Sequence, residues 1–160
     1  MKLIEIMDLL EESGAYLEGH FLLTSGRHSE RYFEKFRVLE HPQYAERLCS
    51  ELARRFQDVA VDVVIGPAIG GIILAYETAR QLGARAIFAE REAGRMQLRR
   101  GFAIEAGEKV LVVEDVVTTG GSVREVVELV EQTAGQIQGI GILMDRSGGA
   151  VDLGYRLEAL

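Results

Sequence analysis

The fourteen residues from Val110 to Val123, VLVVEDVVTTGGSV, constrain this chain more tightly than any other part of it. Val110 to Val113 is a continuous apolar run rich in β-branched residues, which predicts a strand covered on both faces in a parallel sheet. Glu114 and Asp115 follow at its carboxyl end, the edge at which open α/β sheets bind ligands. Val117-Thr118-Thr119-Gly120-Gly121-Ser122 then leads into a helix, so its hydroxyls and free N–H groups can cradle a phosphate that the helix dipole also favours. Two carboxylates beside an anion site would repel a bare polyphosphate. They suit vicinal hydroxyls, or a sugar phosphate neutralised by a metal ion. A glycine turn feeding an ordinary helix accounts for Thr-Thr-Gly-Gly alone, but leaves the acidic pair and the buried strand unexplained.

Strand-like and helix-like patterns alternate around this segment, with strands over 61–65, 84–89, 110–113 and 137–144 and helices over 72–82 and 122–133. That order predicts an α/β fold with a doubly wound, mainly parallel sheet and right-handed crossovers. Ahead of it, 42–56 reads as a long helix, with Pro42 in its first turn and Tyr44, Leu48, Leu52 and Phe56 recurring every four residues. Residues 2–13 carry Leu3, Ile4, Ile6, Met7 and Leu10 at helical spacing, and Gly14 is placed for a left-handed cap. Between these helices lie extended pieces at Phe21-Leu22-Leu23 and Tyr32-Phe33, separated by a turn at Ser25-Gly26-Arg27, which together read as a small hood. The stretch from Glu90 to Gly101 is too hydrophilic for core and too long for a simple turn, which predicts a mobile lid.

A length of 160 residues allows one domain with a real core but not comfortably two. We read 1–160 as that domain, with 1–40 as the hood and 41–160 as the α/β core. The 25 acidic residues against 18 basic ones give a net charge of −7, which argues against a nucleic-acid partner. Cys49 is the single cysteine and lacks a partner for an internal disulfide, which fits a buried thiol in a reducing cytosol. The first residues turn acidic too soon for a secretory signal and no apolar run reaches the length of a membrane span. A soluble, cytoplasmic protein is expected.

Three further pieces carry chemistry. Gly66-Pro67-Ala68-Ile69-Gly70-Gly71 follows a predicted strand and precedes a helix, so a second anion loop faces the first across the same sheet edge. Alone it reads equally well as a tight strand-to-helix turn. Arg91, Arg95, Arg99 and Arg100 on the lid can close over an anionic leaving group. Asp145-Arg146 lies just past the last strand of the alternation, where the guanidinium fork can hold a carboxylate or simply form a surface ion pair.

The 110–123 segment resembles the signature of the type I phosphoribosyltransferases, which bind 5-phosphoribosyl-1-pyrophosphate (PRPP) at an apolar strand, two acidic residues and a Thr/Gly/Ser loop. The run Gly19-His20-Phe21-Leu22-Leu23-Thr24-Ser25-Gly26-Arg27-His28-Ser29, followed by Tyr32-Phe33, looks like the N-terminal segment of the orotate phosphoribosyltransferases. So does the order of the Gly66–Gly71 loop, Phe88-Ala89-Glu90-Arg91-Glu92, the 110–123 segment and Met144-Asp145-Arg146. The resemblance covers most of the chain. It implies the type I phosphoribosyltransferase fold and an enzyme that joins orotate to PRPP with release of pyrophosphate, using Mg²⁺, as a homodimer whose lid reaches the partner's site. It assigns PRPP to Ala68, Ile69, Gly70, Gly71, Glu114, Asp115, Val117, Thr118, Thr119, Gly120, Gly121 and Ser122. Orotate falls to Ser25, Gly26, Phe33, Thr118 and Arg146, the last holding its carboxylate. Glu114, Asp115 and Arg91 become the catalytic residues, with magnesium held mainly by PRPP and water. The chain departs from many members where Gly70 and Thr24 replace lysines, and its lid offers neither lysine nor histidine.

Other readings remain. A phosphoribosyltransferase for another base would keep both anion loops without needing Arg146 or this hood. A PRPP-sensing regulator would keep the fold and bind nucleic acid, against the net charge. A flavin-binding domain would place its phosphate loop after the first strand rather than late and behind two carboxylates.

Overall fold

The computed structural model describes residues 1–22, 26 and 28–160. Helix α1 (Leu3–Glu12) ends as its glycine predicts. Gly14 has φ +67°, its N–H donates to the Glu11 carbonyl, and the Ala15 N–H closes back on the Leu10 carbonyl at 2.9 Å. The buried face is Ile6, Leu9 and Leu10, whereas Leu3 and Ile4, expected on the stripe, are exposed. The stripe is therefore rotated by about one residue, because Leu9 and not Met7 completes the inward row.

Strands β1 (Tyr16–Leu22) and β2 (His28–Phe33) form the hood as an antiparallel hairpin, with Tyr16 opposite Phe33 and Leu22 opposite His28. Gly26 has φ +77°, while Leu23, Thr24, Ser25 and Arg27, including the predicted base-pocket serine, lie outside the described residues. A short helix α2 (Lys35–Leu39), which the sequence pattern does not announce, leads into α3 (Pro42–Arg54) with Pro42 at its first position.

The core then runs β3 (Val63–Pro67), α4 (Gly70–Leu82), β4 (Arg85–Glu92), β5 (Arg95–Leu98), β6 (Lys109–Val117), α5 (Gly121–Gln132), β7 (Gln136–Asp145) and β8 (Leu157–Ala159). The sheet order is β5-β4-β3-β6-β7-β8, parallel throughout except for the edge strand β5. From β3 the chain winds outward through β4, and from β6 it winds the other way through β7. The winding thus reverses between β3 and β6, which sets the loops after those two strands side by side.

Alternate residues of the central strands feed two cores. Val64, Leu111 and Val113 pack with α1, α3 and α4, while Val63, Ile65, Val110 and Val112 pack with Val123, Val126, Val127 and Val130 of α5.

The segment expected as a mobile lid is built largely as a β-ribbon. β4 runs on past the sheet edge and pairs with β5, Glu92 opposite Arg95, around a two-residue turn. Ala93 and Gly94 in that turn both have positive φ, 48° and 84°, the geometry that matches strand twist. Its polar composition reflects an edge strand with solvent on one side.

Candidate functional site

Backbone crowding shapes the loop after β3. A Cβ on Gly66 would sit 2.6 Å from the Gly71 carbonyl oxygen, and one on Gly71 would sit 2.9 Å from Pro67 Cδ. Both glycines therefore let the strand end and the first turn of α4 touch. The Ala68 N–H donates to the Ala89 carbonyl at 2.7 Å, the Ala68–Ile69 peptide is cis, and Ile69 projects into solvent. Gly70 is needed for a different reason: its Cβ would lie 1.6 Å from Asp115 Oδ2.

The loop after β6 encloses a small cavity of about 70 Å³, lined by Glu114 and Val116 through Val123. A water molecule's share of liquid is about 30 Å³, so this niche has the scale of one phosphate group. Gly120 adopts φ +76° at the mouth of α5, and Thr118, Thr119, Gly121 and Ser122 are exposed there. The first turn of a twelve-residue helix presents free N–H groups to this niche. The connection from β7 to β8 packs over the loop, so that a Cβ on Gly120 would be 2.7 Å from Val151.

The two carboxylates leave β6 on different sides. Glu114 borders the phosphate-sized niche, whereas Asp115 turns toward Gly70 and the hood. Both are buried, at 7% and 2% exposure. Burial, reinforced by the neighbouring Asp115 charge, pushes the Glu114 carboxyl up to about 8. The shift favours the uncharged form of Glu114, which lessens the repulsion that an ionised carboxylate would exert on an anion in the niche. Asp115 Oδ1 accepts from the Val116 N–H at 2.6 Å. Among the described residues its Oδ2 accepts no well-directed hydrogen bond but has the Lys35 ammonium 2.7 Å away.

Lys35, the first residue of α2, is the residue at this site that sequence reasoning missed. The available signal was weak: it is one of three lysines in a chain with fifteen arginines, and it closely follows the hood motif. Only the fold shows that it reaches the acidic pair.

Arg146 stands at the same rim, its N–H donating to the Val117 carbonyl at 2.8 Å. Its exposed guanidinium makes no ion pair among the described residues. Beside it, Asp145 folds back to accept from the Ser147 and Gly149 N–H groups, so the alternative of an Asp145–Arg146 surface ion pair does not form. Phe33 is buried in the core that also holds Leu9 and Val38. The outward aromatic surface of the hood is Phe21 stacked on Tyr32, ring centres 5.4 Å apart.

Of the four ribbon arginines, three are engaged. Arg91 forms a forked ion pair with Glu125 of α5 at 2.6 and 2.9 Å and also donates to the Gly94 carbonyl. Arg99 pairs with Glu92 and Arg100 with Glu90, both at 3.1 Å, while Arg95 makes no ion pair among the described residues. Arg91 is thereby held one helical turn beyond the phosphate-sized niche. Two larger hollows, each about 460 Å³, lie against α3 near the amino edge of the strands, where Ser50, Gln57 and Gln81 line both. Size alone would favour them, but they bring together none of the convergent groups found at the switch point.

The family pattern described as "Phosphoribosyl transferase domain" matches residues 37–155. The orotate phosphoribosyltransferase of Pelotomaculum thermopropionicum is 64% identical over 98% of this chain and 82% of its own length. The chain belongs to the orotate phosphoribosyltransferase family. Among solved structures, the orotate phosphoribosyltransferase from Aeropyrum pernix superposes with a TM-score of 0.80 at 31% identity, covering 96% of this chain and 91% of that one. The adenine phosphoribosyltransferase from Saccharomyces cerevisiae also shares the fold, with a TM-score of 0.75 at 19% identity over 96% of this chain and 98% of its own. The architecture of an orotate phosphoribosyltransferase is thus common to enzymes named for a different base, and the side chains at the rim must make the distinction.

Proposed function

We propose that this chain transfers the phosphoribosyl group of PRPP to orotate, giving orotidine 5′-phosphate and pyrophosphate, a step of pyrimidine biosynthesis. The observation that carries the reading is the convergence at one switch point of a glycine-lined loop, a phosphate-sized niche at a helix N-terminus, a buried acidic pair and Arg146. The 5′-phosphate would occupy the niche lined by Val117 through Ser122, and the pyrophosphate the loop of Ala68, Ile69, Gly70 and Gly71. Asp115 and Glu114 would hold the ribose hydroxyls from the two sides of β6. With both phosphate ends fixed, C1 gains oxocarbenium character as pyrophosphate leaves and the orotate nitrogen closes in, so positioning and charge stabilisation supply the catalysis. Orotate would bind between Gly26 and Ser25 of the hood turn, Thr118 and Arg146, the guanidinium taking its carboxylate. The buried position of Phe33 supports a role in shaping the hood from within.

Magnesium fits the chemistry of the donor set, because the buried carboxylates of Glu114 and Asp115 offer hard oxygen atoms at this rim. Bound mainly by PRPP and water, it would neutralise the pyrophosphate. A homodimer is favoured by the exposed apolar side chains of Ile73 and Tyr76 on one side of α4. A cytoplasmic setting is supported by the buried free thiol of Cys49. No helix among the described residues is long and apolar enough to cross a membrane.

The test is pyrophosphate release from PRPP with orotate, uracil, adenine, guanine and hypoxanthine offered singly. Release should be fastest with orotate; preference for another base, or none with any, overturns the assignment. For the ribbon, Arg91→Ala should lower turnover at least tenfold with a smaller change in PRPP affinity, if its contact strengthens as pyrophosphate departs. Because Arg91 also ties the ribbon to Glu125, Glu125→Gln serves as the control. If both variants lose turnover alike, Arg91 acts only as a tether.

A further inference from the structure

We propose that Lys35 is a pyrophosphate-binding residue, which exchanges its contact with Asp115 for the leaving group when PRPP enters. The inference rests on the reading of the 66–71 loop as the pyrophosphate site. Its geometry does not depend on that reading. Lys35 Nζ lies 2.7 Å from Asp115 Oδ2 and 3.4 Å from the point a Gly70 Cβ would occupy, so the ammonium borders the acidic pair and the second anion loop at once. Asp115 is buried, its side chain 3% exposed, whereas the Lys35 side chain keeps 33% exposure. The cation therefore faces the opening and the carboxylate backs it. The other features around Lys35 do not compete for the charge: the Phe36 ring lies 5.4 Å away, and Asp115 is the only acid within ion-pair distance among the described residues.

The exchange balances in charge and hydrogen bonds. In the empty site, Lys35 alone among the described residues meets the Asp115 Oδ2 charge, since Oδ1 is taken by the Val116 N–H. A ribose hydroxyl supplies a donor for Oδ2, and the pyrophosphate of the same molecule supplies an anion for the ammonium. Both partners released from the ion pair are thus satisfied by one ligand. A glycine at position 70 is what makes the exchange possible, because any side chain there would collide with the carboxylate. Since α2 directly follows the hood hairpin, the same lysine ties the hood to the PRPP loops.

The test is calorimetric titration of pyrophosphate, PRPP and ribose 5-phosphate, each with Mg²⁺, into wild type, Lys35→Met and Lys35→Arg. Lys35→Met should weaken pyrophosphate and PRPP by about ten- to a hundredfold while leaving ribose 5-phosphate within about twofold, and Lys35→Arg should recover most of the loss. A lysine that merely braces Asp115 predicts something else: equal losses for all three ligands, or an unchanged pyrophosphate affinity. Either result overturns the proposal. If Lys35→Met does not fold, Lys35→Met/Asp115→Asn removes both charges together and is compared with Asp115→Asn alone; equal pyrophosphate affinities in those two again overturn it. Failure of the broader reading looks different, because wild type itself would then release no pyrophosphate from PRPP with orotate.

Discussion

Arg146→Ala is expected to weaken orotate binding on the order of a hundredfold, measured calorimetrically with pyrophosphate and Mg²⁺ present, while PRPP affinity stays within about threefold. The guanidinium is exposed and free of ion pairs among the described residues, so no internal carboxylate must be displaced before a substrate carboxylate binds. Its backbone is tied to the Val117 carbonyl, which fixes its position next to the phosphate loop. Only a base bearing a carboxylate gives the planar fork a bidentate partner, so uracil and adenine should be indifferent to the change. Arg146→Lys should recover part of the loss, because an ammonium keeps the charge but not the two parallel hydrogen bonds. Orotate binding unchanged in Arg146→Ala would remove the carboxylate–guanidinium contact and, with it, the reason to prefer orotate over another base.

What the sequence made legible follows from the range of the interactions involved. The strand of Val110 to Val113, the glycine cap at Gly14 and the Pro42 helix start are local, each set by periodicity or backbone freedom within a few residues, and each is present. The side-by-side placement of the two anion loops was legible too, because alternating strands and helices with right-handed crossovers leave few sheet orders. The ribbon of β4 and β5 is hidden from the sequence pattern because its turn, Ala93-Gly94, lacks the usual Asn-Gly signal, and charged residues on an edge strand look like loop. The edge strand β8, only three residues long, carries too little pattern to be found. Lys35–Asp115 and Arg91–Glu125 join residues far apart in sequence, and nothing local encodes either pair. The family resemblance supplied residue types at the site. It could not supply the burial of Phe33 or the upward shift of the Glu114 carboxyl, which depend on what packs around them.

The largest loss is expected from the acidic pair. In Glu114→Gln/Asp115→Asn the shapes persist but the charge-assisted hydrogen bonds to ribose hydroxyls weaken, at about 1.5–3 kcal/mol for each bond to a charged group. PRPP affinity or turnover should fall by about 10² or more, without unfolding. The two positions should not share the loss equally. Asp115, backed by Lys35, supplies the negative charge, so Asp115→Asn alone should account for most of it. The Glu114 carboxyl is shifted toward its uncharged form by burial, so Glu114→Gln should cost less PRPP affinity at pH 6.5 than Asp115→Asn does. Stability gives an independent reading. The Glu114 carboxyl titrates at about 8 in the folded chain against an ordinary 4.5, so between those values the folded state binds the extra proton. Its contribution to stability therefore declines as pH rises through that window, by at most about 1.4 kcal/mol per pH unit. Glu114→Gln removes that slope, and the variant should gain on wild type in chemical unfolding between pH 5 and 9. Parallel curves across that range would mean that Glu114 is already ionised, and a PRPP affinity untouched in the double variant would take both carboxylates out of the mechanism.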